Sequence, residues 1–136
     1  MIELEVLDQA GIGVRAGALR KLAAEALAAA GIRDGHVSVH FVSAGRIRAL
    51  NAEHRGRDEP TDVLAFGVDE AGPAAGPRLL GDVVICPAMV QGDLSEVLIH
   101  GLLHLAGMDH EADAGEMLEM QRRLHSSVAR QSLLAE

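Results

Sequence analysis

Apolar and acidic residues alternate at the start of the chain. Across residues 2–7, Ile2, Leu4 and Val6 alternate with Glu3 and Glu5, and this period of two is typical of a half-buried strand. Three further stretches favour strands because they are short, apolar and rich in β-branched residues. They cover residues 36–42, 61–66 and 79–85.

Between and after these strands, the segments show the apolar periodicity or the capping residues of helices. Residues 15–30 place five apolar side chains on one face before Gly31 ends the helix, and Ser43 is placed to cap a second helix that runs to about residue 54. Asp93 and Asp113 each stand three residues before a Glu, the spacing of a capping box, and predict two more helices. The first of these should end near Ala106. The predicted inward faces are Leu19, Leu22, Ala23, Ala26 and Leu27; Ile47 and Leu50; and Met117, Met120, Leu124 and Val128.

Length and composition predict one domain over residues 1–136, with four strands and four helices. At 136 residues and 49% hydrophobic content the chain can form a core, although Phe41 and Phe66 are its only aromatic residues apart from histidine. Residues 67–78 are rich in Gly, Ala and Pro, which predicts an exposed loop.

Charge and cysteine content narrow the function classes. The net charge of −8 argues against broad nonspecific nucleic-acid binding, which depends on Lys and Arg, although Arg46, Arg48, Arg55 and Arg57 form a local basic cluster. One cysteine excludes an internal disulfide and suits a reducing compartment. Because we find neither a signal peptide nor an apolar run of 18 residues, we expect a cytoplasmic protein with no membrane partner.

Residues 99–110 carry three of the seven histidines. His100 and His104 are four residues apart, so on a helix both rings share one face and can converge on a zinc ion. Gly107 can end that helix and turn the chain so that His110 supplies a third nitrogen. Three histidines leave a fourth position for water or substrate, the arrangement of catalytic zinc sites, so we predict one Zn²⁺ per chain at the end of this helix.

The same spacing, His-x-x-x-His-x-x-Gly-x-x-His, is the zinc signature of metzincin proteases with one change. That signature has Glu after the first histidine as the general base, and here the position is Gly101. The remaining histidines lie on other predicted elements, and we do not expect them to bind the metal. They are His36, His40, His54 and His125.

Three motifs in one order resemble the YbeY family of bacterial endoribonucleases, also called rRNA maturation factors. They are Leu-Asn-x-x-His-Arg-Gly-Arg-Asp-Glu-Pro-Thr-Asp-Val-Leu-Ala-Phe from residue 50, Leu-Gly-Asp-Val-Val-Ile from residue 80, and the histidine motif from residue 100. The chain departs from the family's usual pattern at His54, Ala65 and Gln121, where Tyr, Ser and Glu are common. The metal motif is unaffected.

The resemblance implies an α+β fold in which helices pack around a four-stranded mixed sheet. It also implies a zinc-dependent endoribonuclease specific for single strands, active in 16S rRNA 3′-end maturation and ribosome quality control. The implied partners are the 16S rRNA precursor, the small ribosomal subunit and associated assembly factors. Two alternatives stay open: a metalloprotease-like hydrolase, and a non-catalytic ribosome-assembly factor stabilised by zinc.

Arg55 is the candidate catalytic residue for two reasons. A guanidinium matches two phosphate oxygens, and Arg55 lies in the first of the three motifs that carry the resemblance. The alternative interpretation of Arg55 is a solvated residue in a turn. Asp62 and Asp82 either orient the ligand histidines or cap neighbouring turns. No residue is identified as the general base.

Overall fold

Four strands form one mixed sheet, and four helices pack around it. The sheet order is β1-β2-β4-β3; β1, β2 and β4 run parallel to one another, and β3 pairs with β4 in the antiparallel direction. The computed structural model describes residues 2–67, 79–109, 113–128 and 133. The elements are β1 (Ile2–Asp8), α1 (Ala16–Ala29), β2 (Gly35–Phe41), α2 (Ala44–Arg55), β3 (Val63–Gly67), β4 (Leu79–Ile85), α3 (Leu94–Leu105) and α4 (Glu116–Val128).

The α+β prediction, with four strands and four helices, is therefore confirmed. A single 3₁₀ turn, Pro87–Met89, joins β4 to the segment before α3. Of the loop predicted over residues 67–78, Gly67 belongs to β3, and residues 68–78 lie outside the described part of the chain. Among the described residues, no helix combines the length and apolar character needed to cross a membrane.

The main core lies between one face of the sheet and helices α1, α3 and α4. Alternation along β2 places Val37, Val39 and Phe41 in this core with no exposed surface, and His36 and His40 on the opposite face. From α1, the five residues predicted to face inward are all buried. From α3, the four side chains of Leu98, Ile99, Leu102 and Leu103 are fully buried.

A smaller apolar cluster covers the other face of the sheet beneath α2. Ile47 of α2 packs with Val42, Leu64, Val84 and Cys86. The partly buried residues at its edge include Leu50 and Phe66. The helix that carries the histidines and the helix that ends at Arg55 thus lie on opposite faces of the sheet.

The side chains predicted to cap the helix N-termini accept hydrogen bonds from backbone amides there. Ser43 Oγ accepts a hydrogen bond from the Arg46 amide at 3.2 Å, and Asp113 accepts from the Met117 amide at 2.9 Å. Asp93 caps α3 by accepting from the Ser95 amide at 2.9 Å and from the Ser95 hydroxyl at 2.8 Å. The Glu96 carboxylate, however, accepts a bond from Gln121 instead of closing the predicted capping box.

Strand β4 runs without a break through Gly81. Its pairing with β2 is irregular at this point, and Gly81 has a φ of 134°, which disfavours any residue with a Cβ. A Cβ there would also collide with the Phe66 carbonyl of β3 and lie 2.9 Å from Leu105 Cδ1 of α3. Glycine therefore permits β3, β4 and the end of α3 to approach closely.

Candidate active site

Two histidine nitrogens converge at the C-terminal half of α3. His100 Nε2 and His104 Nε2 lie 3.1 Å apart, and the rings meet nearly edge to face at a centroid separation of 4.6 Å. Nitrogens bound to one tetrahedral zinc at 2.0–2.1 Å are separated by about 3.3 Å. The two imidazoles are thus close to the separation that one shared ion requires.

The third predicted ligand, His110, lies outside the described residues. Within the part of the chain that the structure describes, no group of three His, Cys, Asp or Glu residues could hold a metal. His100 and His104 fit two positions of a tetrahedral site, while the third position, at His110, stays a prediction.

The other nitrogen of His100 faces α4. His100 Nδ1 lies 2.7 Å from Gln121 Oε1, and Gln121 Nε2 donates to Glu96 Oε1 at 3.4 Å. The sequence does not predict this contact of Gln121. One signal was available: Gln121 lies one turn after Met117, a predicted inward-facing residue that is fully buried, so its side chain also faces α3.

Arg55 ends α2 at the rim of the cleft that contains both histidines. Its Nη2 donates to the Ala65 carbonyl at 2.7 Å, and its guanidinium lies 5.2 Å from the centroid of the Phe66 ring, within the range of a cation–π contact. The cleft has a volume of about 300 Å³, and α2, β3 and α3 all contribute to it. Its lining is Arg55, Val63, Leu64, Ala65, Gly67, His100, Gly101, His104 and Leu105.

Gly101 lies where α3 packs tightly against the sheet. A Cβ at this position would lie 2.7 Å from Val83 Cγ1 and 3.1 Å from Val63 Cγ2. Val83 is fully buried, so it cannot move aside without disturbing the core. A Glu at this position, which a zinc protease of the metzincin type uses as its base, does not fit the present packing.

A second cleft adjoins the first at His100 and Val63. It has a volume of about 380 Å³ and is lined by Thr61, Asp62, Val63, Gln91, Asp93, Glu96, Val97, His100 and Gln121. Among the described lining residues, three of the second cleft carry a carboxylate, whereas the first cleft has Arg55 and none. The imidazole of His100 therefore separates a cationic cleft from an acidic one.

The other two aspartates considered from the sequence do not contact the histidine pair. Asp82 Oδ1 lies 3.0 Å from His40 Nε2, and Asp62 Oδ1 accepts from the Thr61 hydroxyl at 3.4 Å. Because His110 lies outside the described residues, both alternatives for these aspartates, orienting a ligand histidine and capping a turn, stay predictions. In the described chain, Gln121 occupies the place beside His100 that the sequence analysis had considered for an aspartate.

The histidines expected not to bind metal contact other groups. His36 lies 3.7 Å from Glu3 and 3.8 Å from Glu5, and His54 packs against Phe66 at a centroid distance of 4.9 Å. His125 Nε2 lies 2.9 Å from Asp93 Oδ2. Burial raises the pKa of Asp93, but the hydrogen bonds from His125 and Ser95 outweigh this effect, and the net pKa is below the usual value.

Comparison with known proteins identifies the family. The family model described as endoribonuclease YbeY matches residues 8–129. Curated relatives with the same description include proteins from Rubrobacter xylanophilus, 44% identical over 71% of this chain and 70% of that protein, and from an Anaeromyxobacter species, 46% identical over 78% of this chain and 61% of that protein. A third, from Halorhodospira halophila, is 36% identical over 90% of both chains.

A solved structure supports the same grouping. The solution structure of TM1509 from Thermotoga maritima matches with a TM-score of 0.60 at 32% identity, covering 94% of this chain and 89% of that one. Sequence and fold agree, and the resemblance predicted from the three motifs is confirmed. The chain therefore belongs to the endoribonuclease YbeY family, a family of RNA-cleaving hydrolases.

Proposed function

We propose that this chain is a metal-dependent endoribonuclease that cleaves single-stranded RNA in the cleft between α2, β3 and α3. The proposal extends to 16S rRNA 3′-end maturation and ribosome quality control in the cytoplasm, with the small ribosomal subunit and its assembly factors as partners. One domain, residues 1–136, would carry the activity. The observation that carries the proposal is that Arg55 shares one cleft with the converging nitrogens of His100 and His104.

Zinc is the proposed cofactor, one ion per chain, held by His100, His104 and His110. Two observations support it: the short distance between the Nε2 atoms, and the bond from His100 Nδ1 to Gln121, since ligand histidines usually donate their second nitrogen to an acceptor. A bound divalent ion would supply Lewis-acid polarisation of a phosphoryl oxygen and a water with a lowered pKa.

Charge determines which cleft takes the RNA phosphate. In the second cleft a phosphodiester would meet the carboxylates of Asp62, Asp93 and Glu96, and like charges at close range repel strongly. In the first cleft it would meet the Arg55 guanidinium. We therefore place the scissile phosphate beside Arg55, with the RNA backbone approaching from the β3 side of His100.

Arg55 is well arranged to hold that phosphate as charge builds on it. The Ala65 carbonyl accepts from one of the five guanidinium N–H groups, so the side chain is anchored while others remain able to donate. Preorganised donors aimed at developing negative charge usually supply the largest single contribution to catalysis. The adjacent Phe66 ring restricts the guanidinium plane, which reduces the entropy lost when phosphate binds.

The two alternatives receive less support from the site. A metalloprotease needs a base after the first histidine, and the packing of Gly101 against Val83 leaves no room for one. A purely structural zinc would be enclosed by four protein ligands, whereas His100 and His104 line an open cleft. The same cleft holds the Arg55 guanidinium, which a purely structural zinc site would not require.

The test compares RNA and protein substrates on the same preparation. We expect the purified full chain to cleave a single-stranded RNA oligonucleotide, to leave the matching duplex and casein intact, and to lose activity when a chelator removes the metal. Elemental analysis should find one divalent ion per chain. His104→Ala should lower both metal content and cleavage. His40→Ala, which removes the contact between His40 on β2 and Asp82 on β4, should retain both.

Other outcomes would reject the proposal in distinct ways. Casein hydrolysis without RNA cleavage would favour the protease alternative. Stoichiometric metal without any hydrolysis, together with unfolding on chelation, would favour the assembly factor. Equal metal content in His104→Ala and the unmodified chain would refute the histidine site itself.

A further inference from the structure

The Gln121 side chain bridges His100 and Glu96 across the interface between α3 and α4. Its oxygen lies 2.7 Å from His100 Nδ1, and its nitrogen lies 3.4 Å from Glu96 Oε1. Gln121 is half-buried and Glu96 is exposed. The amide thus connects a proposed metal ligand to a carboxylate at the surface of the second cleft.

We propose that Gln121 is a positioning residue that holds His100 in the tautomer able to bind the metal, with Glu96 fixing the direction of the amide. The inference rests on the proposed function for the identity of the metal site, but it concerns a residue of α4 outside the three proposed ligands.

Glu96 determines which end of the amide faces the histidine. A carboxylate can only accept hydrogen bonds, so it is the NH₂ end of Gln121 that must face Glu96. The carbonyl end then faces His100, and because this oxygen can only accept, His100 Nδ1 must carry the proton. In the neutral ring, Nε2 is then left with its lone pair.

That lone pair points where the proposed site needs it. His100 Nε2 is the atom that lies 3.1 Å from His104 Nε2. The opposite tautomer would place a proton on Nε2 and would have to lose it before an ion could bind. Removing the hydrogen-bond partner of a ligand histidine's second nitrogen typically lowers metal affinity by about 10–100-fold.

Two substitutions of Gln121 separate this role from simple packing. Gln121→Leu keeps a similar volume and removes both hydrogen bonds, so we expect zinc affinity to fall by about 10–100-fold. Gln121→Glu restores an acceptor for the Nδ1 proton but faces Glu96 with a like charge. Its defect should therefore be smaller, and Glu96→Gln in the same chain should remove it, because the new amide can donate to the new carboxylate.

Zinc affinity is measured by competition with a chromophoric chelator on the full chain. Gln91→Leu is the matched control, because Gln91 lines the second cleft as Gln121 does. This variant should bind zinc with the affinity of the unmodified chain. Nitrogen-15 spectra of the histidine rings supply a readout independent of metal. We expect the Nδ1-protonated form for His100 in the metal-free chain and a tautomeric mixture in Gln121→Leu.

The inference and the proposed function fail in distinguishable ways. If the unmodified chain binds zinc and Gln121→Leu binds it equally well, Gln121 has no positioning role. If His100 is protonated at Nε2 in the unmodified chain, the amide is oriented differently and the inference is wrong. If no variant binds zinc but the Nδ1 tautomer still depends on Gln121, the positioning role stands while the proposed metal function fails.

Discussion

The two walls of the cleft are held in very different ways. On one side, α3 lies inside the main core, and its residues Leu98, Ile99, Leu102 and Leu103 have no exposed surface. On the other side, Arg55 is the last residue of α2, a helix with only Ile47 and Asn51 buried. The histidines are thus carried by a rigid element and the arginine by an exposed helix end.

This difference suits the two chemical tasks proposed for the cleft. A metal site tolerates errors of only a fraction of an ångström in its ligands, so a helix packed on two sides is a suitable support. The proposed phosphate contact needs a donor held in one direction, and on its exposed helix end Arg55 is held by one carbonyl and one ring. Substitutions on the two walls should therefore differ in whether they change stability or activity.

The largest effect should come from the exposed wall and should affect activity alone. We expect Arg55→Ala to reduce RNA cleavage by about 10²–10³-fold, the usual cost of losing one donor to developing charge, while metal content and melting temperature stay unchanged. Arg55→Lys should recover part of the rate, since an ammonium supplies charge without the two-pronged contact. Single-turnover cleavage with saturating enzyme measures this effect.

Arg46→Ala is the control for Arg55, because Arg46 is also an exposed arginine of α2 but does not line the cleft. It should cleave RNA at the unmodified rate. Wild-type activity in Arg55→Ala would make Arg55 a solvated residue and place the phosphate elsewhere. Loss of metal or a large drop in melting temperature would give it a structural role instead.

The second effect compares a glycine on each wall and concerns stability. At Gly101 a Cβ would press on Val83, and overpacking of this kind costs about 1–3 kcal/mol, which exceeds the gain of up to about 1 kcal/mol from replacing a helical glycine with alanine. At Gly45 in α2 a Cβ meets nothing within 4 Å. We therefore expect Gly101→Ala to destabilise the protein and Gly45→Ala to stabilise it.

Urea denaturation of both alanine variants measures the difference. Opposite signs would show that α3 is packed to its limit and α2 is not. If Gly101→Ala were as stable as the unmodified chain, the approach of α3 to the sheet would be looser than the structure indicates. In that case the steric argument against a base at this position would lose its support.

Much of α3 could be predicted from local sequence because its features are local. The capping role of Asp93 and the i, i+4 spacing of His100 and His104 both lie within the helix and its N-cap, residues 93–105. The structure confirms the helix, the cap and the closeness of the two rings. His110 follows beyond the helix, outside the described residues, and its role stays a prediction.

The contacts that the sequence analysis missed depend on how distant elements pack. Gln121 reaches His100 only because α4 lies against α3; its register with Met117 indicates an inward face, but no local pattern specifies which helix that face meets. Asp82 faces His40 because β2 and β4 are neighbours in the sheet, with Ser38 opposite Asp82 and His40 opposite Val84, so the two side chains are diagonal neighbours on one face. Sequence order alone does not reveal that β4 pairs with β2.

The smallest predicted effect concerns the start of α3, where the charged N-cap Asp93 contacts α4 beside the second cleft. Asp93 accepts from Ser95 and lies 2.9 Å from His125 Nε2 of α4, and its net pKa is lowered. Removing an N-cap typically costs about 1 kcal/mol, so Asp93→Ala should be less stable by that amount at neutral pH. Asp93→Asn keeps the acceptor and loses the charge, so its loss should be smaller.

The pH dependence has a defined sign. Because folding lowers the pKa of Asp93, the folded state favours the charged carboxylate. The stabilisation is present above the unfolded pKa of about 3.9 and is lost as the pH falls through the lower folded value. The stability difference between the unmodified chain and Asp93→Asn, from urea denaturation at several pH values, should therefore shrink as the pH falls below about 4. A difference that stayed constant into that acid range would mean that the Asp93 charge does not stabilise the fold, leaving the helix that carries His100 dependent on its neutral cap and its buried leucines.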